Sequence, residues 1–160
     1  MATMAIPETN AGQSLRVELR RVIRAPRQRV FAAWTDPEQI RKWMGPGMIA
    51  VSDVQTDARP GGAYRIEMKG SIDGNPEASE RRVAVSGVYA ELRPDELIQF
   101  TWIPGWHPGE ESLVTVHLRD VEGGTEVLLI HERFADEQSR SGHLHGWNSS
   151  MDKLERYLAG

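Results

Sequence analysis

From Ser14 to Ile23 the chain reads "SLRVELRRVI", in which Leu15, Val17 and Leu19 alternate with polar or charged neighbours. Successive side chains of a strand point to opposite faces, so this period of two predicts a half-buried strand. Then "APRQRVFAAWT" places Val30, Phe31 and Trp34 at helical spacing behind Pro26, and "TDPEQIRKWM" begins a second short helix. Asp36 suits the N-cap of that helix, Pro37 its first position, and Gln39 the far end of a capping box. The "GPG" that follows ends it.

Strand patterns then succeed one another. "MIAVSDVQTD", "AYRIEMK", "RRVAVSGVYAEL", "LIQFTWI", "SLVTVHLRDV" and "TEVLLIHERF" are joined by "ARPGG", "GSIDGNPEAS", "RPDE", "PGWHPGEE" and "EGG". In the second of these strands Tyr64, Ile66 and Met68 share one face, and Arg65, Glu67 and Lys69 the other. The last segment changes period. Leu144, Trp147, Met151, Leu154 and Leu158 step by three or four, which draws one apolar stripe along a helix of roughly five to six turns. The predicted order is a strand, two short helices, about six strands and one long helix. Consecutive strands with short turns favour an antiparallel sheet with helices segregated to one side, an α+β design.

The 160 residues fit one domain. Residues 1–13 are small and polar and are expected to form a flexible arm, with a single domain over 14–160. There are no cysteines, which removes disulfides, zinc thiolates and thiol nucleophiles together and suits a reducing compartment. The net charge is −4 and no basic block stands out, so a nucleic-acid partner is not expected. The chain shows neither an apolar run of membrane-spanning length nor a leader pattern, and the expected location is the cytoplasm.

The stretch "HERFADEQSRSGHLHGW", residues 131–147, holds three of the five histidines. Thr125, Val127, Leu129 and His131 share a strand face, and Glu132 points the other way, so a regular strand keeps that pair from chelating one ion. His143 and His145 are roughly 200° apart around a helix axis. No metal site is expected, and no cofactor. His143 lies on the apolar stripe, four residues before Trp147, and His131 points toward the same space if its face is the inner one. Each is then either a buried histidine bonded to its surroundings or a polar anchor in an apolar pocket. His145 is expected to face solvent, His117 could take either face, and His107 sits in a loop. No nucleophile elbow, phosphate loop or dinucleotide fingerprint occurs. Most carboxylates read as a solvated face. Trp34, Trp43, Met44, Met48, Tyr64, Met68, Trp102, Trp147 and Met151 fall on apolar phases or beside turns. They fit an ordinary core, or the lining of a space left between a curved sheet and the long helix.

Five segments, in order, carry a resemblance: "RVIRAPRQRVFAAWTDPEQIRKWMGP", "DARPGGAYRI", "SGVYAELRPDELIQFTW", "GGTEVLLIHERF" and "HLHGWNSSMDKLERYL". Together, over roughly residues 14–159, the chain resembles the family of homologues of the activator of heat-shock protein 90 ATPase, within the START-like (SRPBCC, Bet v 1-like) superfamily. The resemblance implies a helix-grip fold, a curved antiparallel sheet wrapped around a long C-terminal helix with two short helices after the first strand. It also implies a cavity between sheet and helix that relatives use for lipids, hormones, polyketides or other apolar molecules. His131 and the Gly146–Trp147 pair match recurring positions of the family.

Fold alone does not fix function. The favoured expectation is binding of a small hydrophobic or lipid-like ligand. Its candidate lining is Trp34, Tyr64, Ile66, Met68 and Trp102 from the first helix and the sheet, and His131, His143, Trp147 and Met151 from the last strand and helix. His131→Ala is then expected to change ligand binding more than stability. One alternative is an enzyme, cyclase- or hydrolase-like, in which a cavity histidine acts as acid or base. Catalysis is the less favoured expectation, because no carboxylate or nucleophile falls in phase with a histidine. Another is a co-chaperone-like interaction domain. The co-chaperones that name the family carry a further N-terminal domain for which this chain has no room. Trp106 in "PGWHPGEE" would be its exposed contact, or else a lid over the pocket mouth. A homodimer is compatible with each reading.

Overall fold

A computed structural model describes residues 15–45, 47, 49–70 and 81–159. The expected arm over 1–13, the turn after Gly70, and Met48 lie outside the described residues. The element order is β1 (Val17–Ile23), α1 (Arg27–Thr35), α2 (Pro37–Trp43), β2 (Ala50–Thr56), β3 (Ala63–Gly70), β4 (Arg81–Arg93), β5 (Leu97–Pro104), β6 (Ser112–Val121), β7 (Gly124–Glu132) and α3 (Glu137–Ala159). The strands form one curved antiparallel sheet in the order β1-β7-β6-β5-β4-β3-β2. This is the α+β helix-grip architecture.

The inner face follows the alternation. Tyr64, Ile66 and Met68 are buried on β3, and Thr125, Val127, Leu129 and His131 on β7. Curvature comes from irregular pairing. The ladder of β4 and β5 shifts between Tyr89 and Glu91, and that of β2 and β3 between Val51 and Asp53. Such shifts bend a strand and increase its twist. At Gly87 the backbones crowd, and a Cβ there would lie 2.1 Å from the Thr101 carbonyl oxygen. Only glycine permits that approach.

α1 has no side-chain cap and no acid in its first turn, so it relies on packing of Val30, Ala33 and Trp34. At α2, Asp36 is the N-cap and accepts from the Glu38 N–H at 3.0 Å, with Pro37 next. The capping box is only half made. The Gln39 amide bonds the Asp36 carboxylate at 3.2 Å, because the Asp36 N–H already donates to the Ala32 carbonyl. α3 starts with Asp136 accepting from the Ser139 N–H at 2.8 Å, and buries Trp147, Ser150, Met151, Leu154 and Leu158. Its opposite edge is tied down by polar contacts. Arg21 on β1 pairs with Asp152 and Glu155, and Lys153 Nζ donates to the carbonyls of Gly45 and Ile49 at 2.7 and 3.2 Å. The helix is thereby fixed against β1 on one side and against the chain after α2 on the other.

Candidate functional site

Between the N-terminal half of α3, strands β3 to β5 and the chain after α2, a cleft of about 590 Å³ opens. Its inner wall is Met44 and Ile49 after α2, Met68 and Val83 on β3 and β4, Trp102 on β5, and Trp147 on α3. Gly146 and Ser150 complete the helix side. Trp106 and His107 of the β5–β6 loop and Asp136, Gln138 and Gly142 form the mouth. Trp106 is 52% exposed and its ring stacks on His143 at 6.2 Å with 23° between planes.

Of the nine candidate lining residues, Met68, Trp102, His143 and Trp147 line this cleft. Trp34, Tyr64, Ile66, His131 and Met151 are buried behind its wall. Trp34 packs edge-on to Trp43 at 4.7 Å and tilted against Trp147 at 5.8 Å, and its indole N–H has no partner among the described residues. Tyr64 donates its hydroxyl to the Thr101 carbonyl at 2.5 Å and joins Tyr89 and Phe100 in an aromatic cluster.

His131 and His143 do meet, with ring centroids 5.0 Å apart and planes 74° apart. Their hydrogen bonds fix both tautomers. Trp147 Nε1–H, which can only donate, points at His131 Nδ1 at 2.9 Å. Nδ1 is therefore the acceptor, and His131 Nε2–H donates to the Ser112 hydroxyl at 2.7 Å. Ser112 in turn donates to the Trp102 carbonyl at 3.3 Å. At His143, Nδ1–H donates to the Ser139 carbonyl at 2.8 Å, and Nε2 accepts from Trp102 Nε1–H at 3.2 Å. Each imidazole lone pair is thus taken by an indole N–H, and a proton added there would face another donor. Burial, and then the neighbouring His143, hold the His131 pKa well below the usual histidine value. Burial also lowers that of His143, against the opposing pull of the Ser139 carbonyl and Glu110.

This arrangement bears on chemistry in two ways. Ser112 sits against a histidine, but the facing nitrogen carries a proton and cannot act as its base. Ser112 is also buried, with no approach from the cleft. No group of three or more potential ligands is placed to hold a metal among the described residues. Both histidines lack a free lone pair for one.

Glu110 and Ser112 were not singled out from the sequence as partners of the histidines. Glu110 is a buried carboxylate whose oxygens accept from the Ala135 N–H at 2.7 Å and the Ser139 hydroxyl at 2.8 Å. It ties the Trp106 loop to the start of α3. His107 approaches the same carboxylate at 3.6 Å. A carboxylate in a polar loop carries no signal of burial. His117 and His145 are exposed, as is His107.

The family model described as "Activator of Hsp90 ATPase homolog 1-like protein" matches residues 24–159. Similar solved structures include the AHSA1 protein of Silicibacter pomeroyi, 26% identical, covering 90% of this chain and 97% of that one, with TM-score 0.75. A protein from Rhizobium leguminosarum is 29% identical, with 90% and 93% covered and TM-score 0.72. One from Chromobacterium violaceum is 27% identical, with 91% and 98% covered and TM-score 0.72. A search of curated proteins returned no match. On the match over residues 24–159 and the helix-grip fold together, the chain belongs to the activator of Hsp90 ATPase homologue 1-like family, within the SRPBCC (Bet v 1-like) superfamily.

Proposed function

We propose that the protein binds a small, largely apolar molecule in the cleft between its sheet and α3. The observation that carries this reading is the cleft itself, about 590 Å³ with Met44, Met68, Trp102 and Trp147 on its inner wall. Pockets for small molecules fall in this size range and have this kind of wall. Each Å² of ligand apolar surface removed from water there contributes about 25 cal/mol. Methionine and tryptophan adapt to ligand shape and supply broad contact area.

A binding role fits the histidines better than a catalytic one. An acid or base needs a nitrogen that can exchange its proton with a bound substrate. Here both nitrogens of His131 and of His143 are engaged by protein groups. A chaperone-like contact would draw on Trp106, the large exposed aromatic of the β5–β6 loop, but its ring stacks on His143 at the cleft mouth and serves a lid equally well. We place the protein in the cytoplasm, in keeping with a chain that has no cysteine.

Native mass spectrometry of freshly purified protein, followed by denaturing extraction, tests the reading. The expected result is a discrete added mass released as an apolar compound. A ligand at about a hundred times its dissociation constant should stabilise the fold by about 2.7 kcal/mol. A protein that stays bare and whose melting temperature no apolar compound raises would contradict the proposal.

A further inference from the structure

The polar groups around the cleft differ in what they still have to offer a ligand. The indole N–H of Trp102 is donated to His143, and that of Trp147 to His131. At the start of α3, where free N–H groups attract anions, this chain's own carboxylates already stand: Asp136 takes the Ser139 N–H inside the first turn and Glu110 the Ala135 N–H just before it. Asp136 adds negative charge at the mouth. Among the described residues, no lysine or arginine side chain lines the cleft. Lys153 lies behind the rim, with its ammonium turned to the carbonyls of Gly45 and Ile49.

Ser150 differs from these. It lines the cleft from α3, and only 3% of its surface is exposed. The side-chain hydrogen bonds of that stretch are made by Asn148, Ser149 and Lys153. The Ser150 hydroxyl takes part in none among the described residues. A nearly buried hydroxyl beside an apolar wall gains most from a partner that arrives with the ligand.

We propose that the cleft selects uncharged ligands, and that a hydroxyl or carbonyl of such a ligand hydrogen-bonds Ser150. The proposal rests on the binding reading above and adds the charge class and the anchoring residue. A carboxylate carried into this site loses its water and meets no cation on the described wall, whereas a hydroxyl exchanges its water for the serine. Alcohols, sterol-like or ketone-bearing molecules are therefore favoured, and free fatty acids and other anionic lipids are rejected.

Two matched pairs test this by isothermal titration calorimetry at neutral pH: decan-1-ol against decanoate, and 2-naphthylmethanol against 2-naphthoate. Each pair keeps one apolar body and changes only the charge. The alcohol of at least one pair should bind about tenfold or more tightly than its carboxylate, given the cost of burying an unpaired charge. Ser150→Ala should weaken that alcohol by about three- to tenfold, the usual worth of one hydrogen bond. A carboxylate that binds as tightly as its alcohol overturns the charge selection and leaves the binding reading standing. An alcohol that binds Ser150→Ala as tightly as the unaltered protein removes the serine as anchor. If neither member of either pair binds, both the selection and the binding reading fall. The charge comparison uses the unaltered protein, so it does not depend on how the variant folds.

Discussion

Trp147 donates to His131, His131 to Ser112, and Ser112 to the Trp102 carbonyl, so a run of buried polar groups is satisfied internally. Removing its middle member strands the groups on either side. His131→Leu should cost about 2–4 kcal/mol in urea denaturation, because the Trp147 N–H and the Ser112 hydroxyl lose their partners. This reverses the expectation from sequence that His131 matters more to ligand than to fold. The residue is 0% exposed and stands behind the wall of the cleft. A loss below about 0.5 kcal/mol would contradict the chain of bonds. Trp147→Ala should cost about 3–5 kcal/mol, since its ring packs against Trp34 and Trp102 in the middle of the α3 stripe. The same histidines set a pH dependence. Both have folded pKa values below the ordinary 6.5. Well above pH 6.5 the imidazoles are neutral in both states and their contribution to stability is fully present. As pH falls below that value the unfolded chain takes up protons first, and the folded state loses ground until its own lower pKa values are reached. For His131 the slope is at most about 1.4 kcal/mol per pH unit. Urea midpoints between neutral pH and about pH 5 should fall, and fall less in His131→Leu. Equal slopes in the two proteins would remove His131 as the cause.

At the scale of elements, α3 is built by its stripe and placed by its ends. Glu110 reaches from the β5–β6 loop to the Ala135 N–H and the Ser139 hydroxyl, holding the Trp106 loop against the helix start. Glu110→Ala should leave the sheet intact and free the loop. Amide hydrogen exchange at Ala135 should quicken by about tenfold or more, while amides of β6 and β7 keep their protection. Unchanged exchange at Ala135 would mean that the loop is held by other contacts. The capping of α2 is a smaller matter. Asp36→Ala removes the bond to the Glu38 N–H and should cost about 1 kcal/mol.

Across the whole molecule, the parts legible in the sequence were those governed by local periodicity. The period of two in "AYRIEMK" put Tyr64, Ile66 and Met68 inside, and the steps from Leu144 to Leu158 put Trp147, Met151, Leu154 and Leu158 against the sheet. Tertiary pairing was not legible. Ser112 meets His131 because β6 lies beside β7 with Val114 opposite His131, a register that neither strand states alone. The tautomers follow from indoles on other elements. The cleft depends on how α3, β3 to β5 and the chain after α2 come together, so Met68, Trp102, His143 and Trp147 reach it while Trp34, Tyr64, Ile66 and Met151 stay in the core. Phase says which way a side chain points, but not how far the opposite wall stands.

The five tryptophans give the most direct test, because they divide by position. Trp102, Trp106 and Trp147 line the cleft, while Trp34 and Trp43 do not. In a ¹⁵N-labelled sample each indole N–H gives its own resonance. Titration with 2-naphthylmethanol should move the signals of Trp102, Trp106 and Trp147 most, with Trp34 and Trp43 moving less. Five signals that stay still at saturating compound, or shifts confined to Trp34 and Trp43, would contradict a ligand held in this cleft.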